Sequence, residues 1–263
     1  MGPADGGLVA AAGLLAGAVN AVAGGGTLIA FPALLTTGMP ALTANITSSV
    51  GLVTGYAGGA LGYRRELAGQ ATRLRALAIP ALLGGLTGAV VLVVTPAGAF
   101  RAVVGYLVVV ACGLLGAQPW LARLVAGRRA AASAARPTTS GVTNSGVTWP
   151  TRAGVFLAGV YGSYFGAGLG VLLLGVLGIL LPDDIQRTNA AKTLLSFGIN
   201  AIGVTVFVVS AQVSWAFAAI LLVTSYAGGV LGARLARVLP AAALRGTVVT
   251  LGLIVAVVLI VSR

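Results

Sequence analysis

Long runs without a single charge organise this chain. Residues 6–63, 76–100, 102–122, 153–182, 193–233 and 246–262 contain no Asp, Glu, Lys or Arg. A helix that crosses a bilayer needs about 20 mostly apolar residues, and these windows hold several such helices. Reading the windows against Gly, Pro and charge predicts eight segments, at about 8–37, 44–62, 76–94, 99–117, 153–181, 189–209, 214–233 and 244–262. Periodicity adds little, because a helix buried in lipid or protein can be apolar all round. Two segments are too long and too interrupted for one straight helix. Segment 8–37 breaks at Gly24-Gly25-Gly26, and 153–181 at Gly166-Ala167-Gly168-Leu169-Gly170. Trp120, Trp149 and Trp215 fall near segment ends, where interfacial aromatics belong. The pattern predicts an all-α, polytopic helical membrane protein.

Composition sharpens this and removes other classes. Of 263 residues, 58% are apolar and 8% charged, against about 25% charged in a soluble domain. The net charge of +12 comes from arginines set between the windows. They form no basic stripe, so the expected partner is the lipid bilayer and no nucleic acid. There is no histidine, and the single Cys112 lies in mid-segment. Neither a metal nor another cofactor is expected. The first apolar stretch is preceded only by Asp5 and lacks the basic start of a signal peptide, so it is expected to remain in the mature chain. Lys192 and Ser196 stand four residues apart, as a Ser–Lys nucleophile pair would. Nothing else supports hydrolysis, and no enzyme is expected. The Ala- and Arg-rich usage suggests a GC-rich bacterial genome and hence the plasma membrane, crossed several times.

The two halves are related. At one offset, Leu15, Gly17, Gly24, Gly26 and Pro40 match Leu157, Gly159, Gly166, Gly168 and Pro182. After a two-residue insertion the offset becomes 144, and Asn45, Gly84, Gly85, Gly88, Pro96 and Arg101 match Asn189, Gly228, Gly229, Gly232, Pro240 and Arg245. This divides the chain into a first membrane repeat, 1–121, a cytoplasmic linker, 122–150, and a second repeat, 151–263. The linker, with Arg123, Arg128, Arg129, Arg136 and Pro137-Thr138-Thr139-Ser140-Gly141, reads as a solvated loop. If each broken segment is re-entrant, each half crosses three times and the second half is inverted. Thirteen arginines from Arg64 to Arg245 then lie inside, and only Arg101 and Arg263 outside. Four parallel crossings per half give ten against five. The excess of basic residues on the cytoplasmic side favours inversion.

Three groups of residues are candidates for chemistry. The paired breaks, Gly24-Gly25-Gly26-Thr27 and Gly166-Ala167-Gly168, suit half-helices whose N-termini face an anion. Close helix packing through small residues is the plain alternative. Asn189, Lys192, Thr193, Ser196 and Asn200 line one helix face, matched by Asn45, Ser48, Ser49, Leu52 and Tyr56 in the first half. Hydrogen bonding between helices is the alternative there. Lys192 is the only lysine, one turn into a span. It either snorkels to the interface or supplies countercharge to a passing anion. Arg187, with Asp183 and Asp184, reads as a loop mouth. Gly84-Gly85-Gly88 and Gly228-Gly229-Gly232 suit packing within one chain or across a homodimer, and both stay open.

The stretch Leu15-Ala16-Gly17-Ala18-Val19-Asn20-Ala21-Val22-Ala23-Gly24-Gly25-Gly26-Thr27-Leu28, its near-repeat at 157–170, Thr43-Ala44-Asn45 and Thr188-Asn189-Ala190-Ala191-Lys192 resemble the TauE/SafE sulfite exporter family, also called the 4-toluene sulfonate uptake permease family. The likeness covers nearly the whole chain apart from the linker. It implies a duplicated protein of about eight hydrophobic segments that moves sulfite, sulfonates or related organosulfur anions. It also implies that the paired glycine stretches and the Asn-containing helices form the pathway. Resemblance and residues together nominate Gly24, Gly25, Gly26, Thr27, Asn45, Ser48, Gly166, Gly168, Asn189, Lys192 and Thr193 as the substrate site. No segment interior holds an Asp, Glu or His to relay a proton, so the substrate itself is expected to carry any proton moved. A passive anion or small-solute channel is the alternative, since half-helices line such pores too; the paired Asn-Pro-Ala signature expected there is missing.

Overall fold

The uncharged windows fold as helices throughout. The computed structural model describes residues 2–22, 24–134, 147–181, 183–235 and 241–261. Among them are α1 (Pro3–Val22), α2 (Thr27–Leu35), α3 (Ala41–Gly62), α4 (Arg64–Leu67), α5 (Ala71–Val94), α6 (Ala97–Ala134), α7 (Trp149–Tyr164), α8 (Leu169–Leu180), α9 (Ile185–Ser210), α10 (Trp215–Leu235) and α11 (Ala241–Val261). No strand occurs among the described residues. Among the described residues, five helices are long and apolar enough to cross a membrane: α1, α5, α6 as far as Leu124, α9, and α10 as far as Arg234. Ala23, Pro182, Arg237, Pro240, Arg263 and the linker residues 135–146 lie outside the described residues.

The linker prediction needs one correction. Residues 122–134 are the end of α6 rather than loop. The run Leu121-Ala122-Arg123-Leu124-Val125-Ala126 and the alanines after it are mostly strong helix formers, so a helix already begun in the membrane carries on past Pro119. Arginine content marked this stretch as solvated, and it failed to separate loop from solvated helix.

Helix directions follow from which residues touch. Against α10, α3 pairs Thr47 with Ser214, Gly51 with Ser225 and Gly62 with Ala233, so the two run parallel. α1 joins them in the same sense: Gly13 meets Leu221, Gly17 meets Ser225 and Ala18 meets Gly232. These three helices form one bundle. In the second, α5 runs parallel to α7 through Gly84–Phe156 and Gly88–Val160. It runs parallel to α9 through Gln70–Arg187, Leu82–Gly198 and Gly85–Ile202. Each bundle thus takes one helix from the opposite half. Where they meet, α3 faces α9 head to tail, with Gly59 on Thr193 and Tyr56 beside Asn200. Outside this seam α6 and α11 are also antiparallel, pairing Gly105 with Ile260 and Cys112 with Gly252. Equivalent helices therefore run in opposite directions, and the halves are inverted.

The same offsets that align the halves in sequence map one set of contacts onto the other. Gly17 packs on the Ser225 carbonyl as Gly159 packs on that of Ala81. Gly228 packs on Leu14 as Gly84 packs on Phe156, and Gly232 on Ala18 as Gly88 on Val160. A Cβ at Gly84, Gly88 or Gly228 would stand 2.0–2.2 Å from a neighbouring carbonyl oxygen. Small residues here let backbones touch, which drives helix association where lipid removes the usual hydrophobic gain. The two glycine faces are thus occupied inside the chain and are not free to build a dimer.

At the end of the molecule where α8 gives way to α9, Asp183 ties three elements together. Its Oδ2 accepts from Arg73 Nη1 of α5 at 2.6 Å and from Arg187 Nε of α9 at 3.3 Å. Asp184 caps α9, accepting from the Gln186 and Arg187 backbone N–H groups. The residues read as a loop mouth are therefore a clamp. Burial alone raises the Asp183 carboxyl, but the Asp184 N–H and the Arg73 and Arg187 guanidinium groups outweigh it and hold it below its ordinary value. Its contribution is complete above the unfolded carboxylate value of about 3.9 and is lost as pH falls through the lower folded value. Asp183→Asn is expected to lower stability near neutrality by roughly 1 kcal/mol and to flatten the acid limb of a melting-temperature profile taken from about pH 7 down to about pH 3. An unchanged acid limb in the variant would refute the clamp.

Candidate functional site

Both predicted breaks are real, and both turn the chain back on itself. Gly24 and Gly166 stand at equivalent positions with φ of 81° and 82°, in the left-handed region that only glycine adopts cheaply. Each amide reaches the carbonyl five residues back, Gly24 to Val19 and Gly166 to Tyr161. Past the first break, a Cβ on Gly26 would lie 2.2 Å from the Ala16 carbonyl oxygen. Ten residues of continuous helix would separate them by about 15 Å. Past the second, α8 runs back along α7, with Leu169 on Gly162 and Val176 on Gly154. These are re-entrant hairpins, and because the halves are inverted they enter from opposite ends.

The two hairpin tips meet. Gly24 lies against the backbone of Gly170, and Thr27 Oγ1 lies beside Gly166. Phe31 of α2 and Phe165 of the second tip pack edge to face, with ring centroids 5.7 Å apart. Two asparagines of the first half hold one tip each. Asn20 Oδ1 accepts from the Gly26 N–H at 2.7 Å, and Asn45 Nδ2 donates to the Tyr164 carbonyl at 3.0 Å. Gly25 and Gly168 turn the other way, onto Leu115 and Leu114 of α6. They build the turns and face away from the α3–α9 seam.

Along that seam the polar face predicted from sequence is buried, but its members differ in what they have left to offer. The hydroxyls of Ser48 and Thr193 donate to their own helices, to the Asn45 and Asn189 carbonyls. Asn189 is only half-buried. Lys192 is 1% exposed, its Nζ has no hydrogen-bond partner, and no ion pair among the described residues reaches it. Snorkelling would have brought that ammonium to the surface. Asn45 Oδ1, Asn20 Nδ2, Tyr56 Oη and Ser196 Oγ are likewise buried without a well-formed hydrogen bond, Tyr56 lying beside Asn20 and Asn200. A buried polar group without a partner costs about 1–3 kcal/mol, and a charged one more. Five of them around one seam define a place built for something polar.

Asn20 and Tyr56 were not among the nominated site residues. Tyr56 had been placed only as the first-half match of Asn200, and the two now lie side by side. A lone carboxamide in an uncharged span was the available signal for Asn20.

A multi-pass helical membrane protein with inverted halves, crossed re-entrant hairpins and a buried, unspent polar seam is thereby defined. The chain belongs to the sulfite exporter TauE/SafE family, whose profile matches residues 9–259. It is a membrane transporter. It is 25% identical over 230 residues to a "Probable membrane transporter protein" of Haemophilus influenzae, covering 85% of this chain and 82% of that one. It is 24% identical over 225 residues to "Probable membrane transporter protein ORF9" of a Sinorhizobium species, covering 86% and 80%. No solved structure matches the chain significantly.

Proposed function

We propose that this transporter carries small sulfur oxyanions, sulfite or sulfonates, across a bacterial plasma membrane through the α3–α9 seam beneath the two hairpin tips. The observation that carries the reading is Lys192: a lone buried ammonium with no carboxylate partner. Such a charge is tolerated when its counterion is the cargo. Asn20 Nδ2, Tyr56 Oη and Ser196 Oγ supply further donors for an oxyanion.

The two repeats, 1–121 and 151–263, provide the means of alternating access. Within each three-helix bundle, backbones touch through glycine and move as one body. Between the bundles lies the polar seam, along which one rocks against the other. The arginines gathered at one end of the helices put that end in the cytoplasm. Apart from Asp5 in the first turn of α1, the spans hold no Asp, Glu or His, so any proton moved rides on the substrate, which suits an anion such as sulfite that titrates near neutrality.

The test is counterflow of radiolabelled sulfite in proteoliposomes, with sulfite, a sulfonate, sulfate or chloride as the trans anion. Saturable exchange stimulated by trans sulfite or sulfonate, with little response to chloride, is the expected result. Flux without trans-stimulation would make the protein a channel. No flux with any of these anions would overturn the substrate class.

A further inference from the structure

Where α3 leads into α4, its end and that of α10 enclose a cavity of about 450 Å³ lined by Arg64, Arg65 and Arg234 together with Leu61, Tyr226 and Val230. We propose that this groove binds the phosphate of an anionic phospholipid, with the acyl chains lying down the outer face of α10. The reading is independent of the substrate proposed above and rests only on these helices spanning the membrane.

Three observations support it. First, none of the three arginines has a carboxylate partner among the described residues. The ion pairs there are Arg73–Asp183 and Arg187–Asp183, so the neighbouring arginines share a carboxylate and these three have none. A guanidinium fork matches the oxygens of a phosphodiester, and basic pockets between spans on the cytoplasmic side are suited to anionic headgroups.

Second, the fold does not require charge at this place. The inverted repeat sets the equivalent positions at the end of α9 and in α5. There, at the offset of 144 between Asn45 and Asn189, the counterparts of Arg64, Arg65 and Arg234 are Val208, Val209 and Val90. All three valines are exposed on the outer surface, Val209 at 82%. The arginine positions therefore look outward toward lipid, rather than inward toward the seam.

Third, the groove is continuous with an apolar face. Leu61 and Tyr226 remain largely exposed on its rim, and Val223 one turn below is 73% exposed. A free phosphate would use only the arginines, whereas a phospholipid uses both surfaces.

Native mass spectrometry of the detergent-purified full chain tests this, with phosphatidylglycerol, phosphatidylcholine and soluble glycerol 1-phosphate as probes. Wild type is expected to retain phosphatidylglycerol in preference to phosphatidylcholine. The triple variant Arg64→Gln/Arg65→Gln/Arg234→Gln should bind phosphatidylglycerol at least tenfold more weakly, while Arg123→Gln binds it as wild type does. If the triple variant aggregates on size exclusion, the single Arg234→Gln must still weaken binding about threefold. Equal retention of both lipids, or unchanged phosphatidylglycerol binding in the folded variant, would overturn the proposal. So would displacement of the lipid by glycerol 1-phosphate at equal concentration, which would assign the groove to soluble anions.

Discussion

Lys192→Met is expected to abolish sulfite exchange while leaving the protein as stable as wild type or more so. The two effects have one cause. Lys192 is 1% exposed with nothing bonded to its Nζ, so the empty protein bears the cost of an uncompensated buried charge. Methionine fills nearly the same volume without that cost, and replacing buried charge by a well-packed apolar group is often neutral or stabilising. The bound anion, however, loses the only cation on the seam among the described residues and must then shed its hydration against neutral dipoles. A loss of at least 100-fold in exchange is expected, about 2.7 kcal/mol or more of binding and barrier together. Trans-stimulated flux and thermal unfolding of the detergent-solubilised variant measure the two sides. If stability falls along with flux, Lys192 is a structural group and the site lies elsewhere.

Gly24→Ala is the second large effect, and its counterpart Gly166→Ala is the control. Both positions have positive φ, so any side chain incurs a strain of about 1–2 kcal/mol. Beyond that their surroundings differ. A Cβ on Gly24 would sit 2.4 Å from Gly170 Cα, backbone against backbone, whereas one on Gly166 would meet Thr27 Oγ1 at 3.2 Å and the Gly162 carbonyl oxygen no closer than 3.3 Å. The hydroxyl can rotate away; the hairpin tip cannot. Gly24→Ala should therefore cost about 2–5 kcal/mol in all, adding an overpacking penalty of about 1–3 kcal/mol to the strain. Gly166→Ala should cost little more than the strain. The temperature at which each variant loses its monodisperse peak on size exclusion reads this out. Equal losses for the two would mean that the tips do not touch as described.

Much of the architecture was legible because lipid imposes harsh rules. Charge is expelled from spans, so uncharged windows marked the helices; the solvated end of α6 and the first residues of α7, where that rule lapses, read as loop. The breaks were legible because Gly24 and Gly166 occupy a backbone conformation that other residues avoid. The buried polar stripe was legible by composition and not by role. Ser48 and Thr193 looked equivalent to Ser196 in the polar stripe, yet their hydroxyls are spent on their own helices and that of Ser196 is not. A hydrogen-bond ledger requires coordinates.

By itself the sequence determined that this protein lives in a membrane, that its halves are duplicates, and where each chain break falls. Each of these follows from local chemistry: hydration of charge, and the φ a glycine permits. Only the tertiary structure decided that α1 crosses over to pack on α10 and α7 on α5, that the glycine faces close within one chain, and that opposed hairpins meet over an unpaired lysine. Those contacts join residues more than a hundred positions apart. Their energies depend on which backbones approach and which polar atoms are left over, and neither is a property of any segment alone.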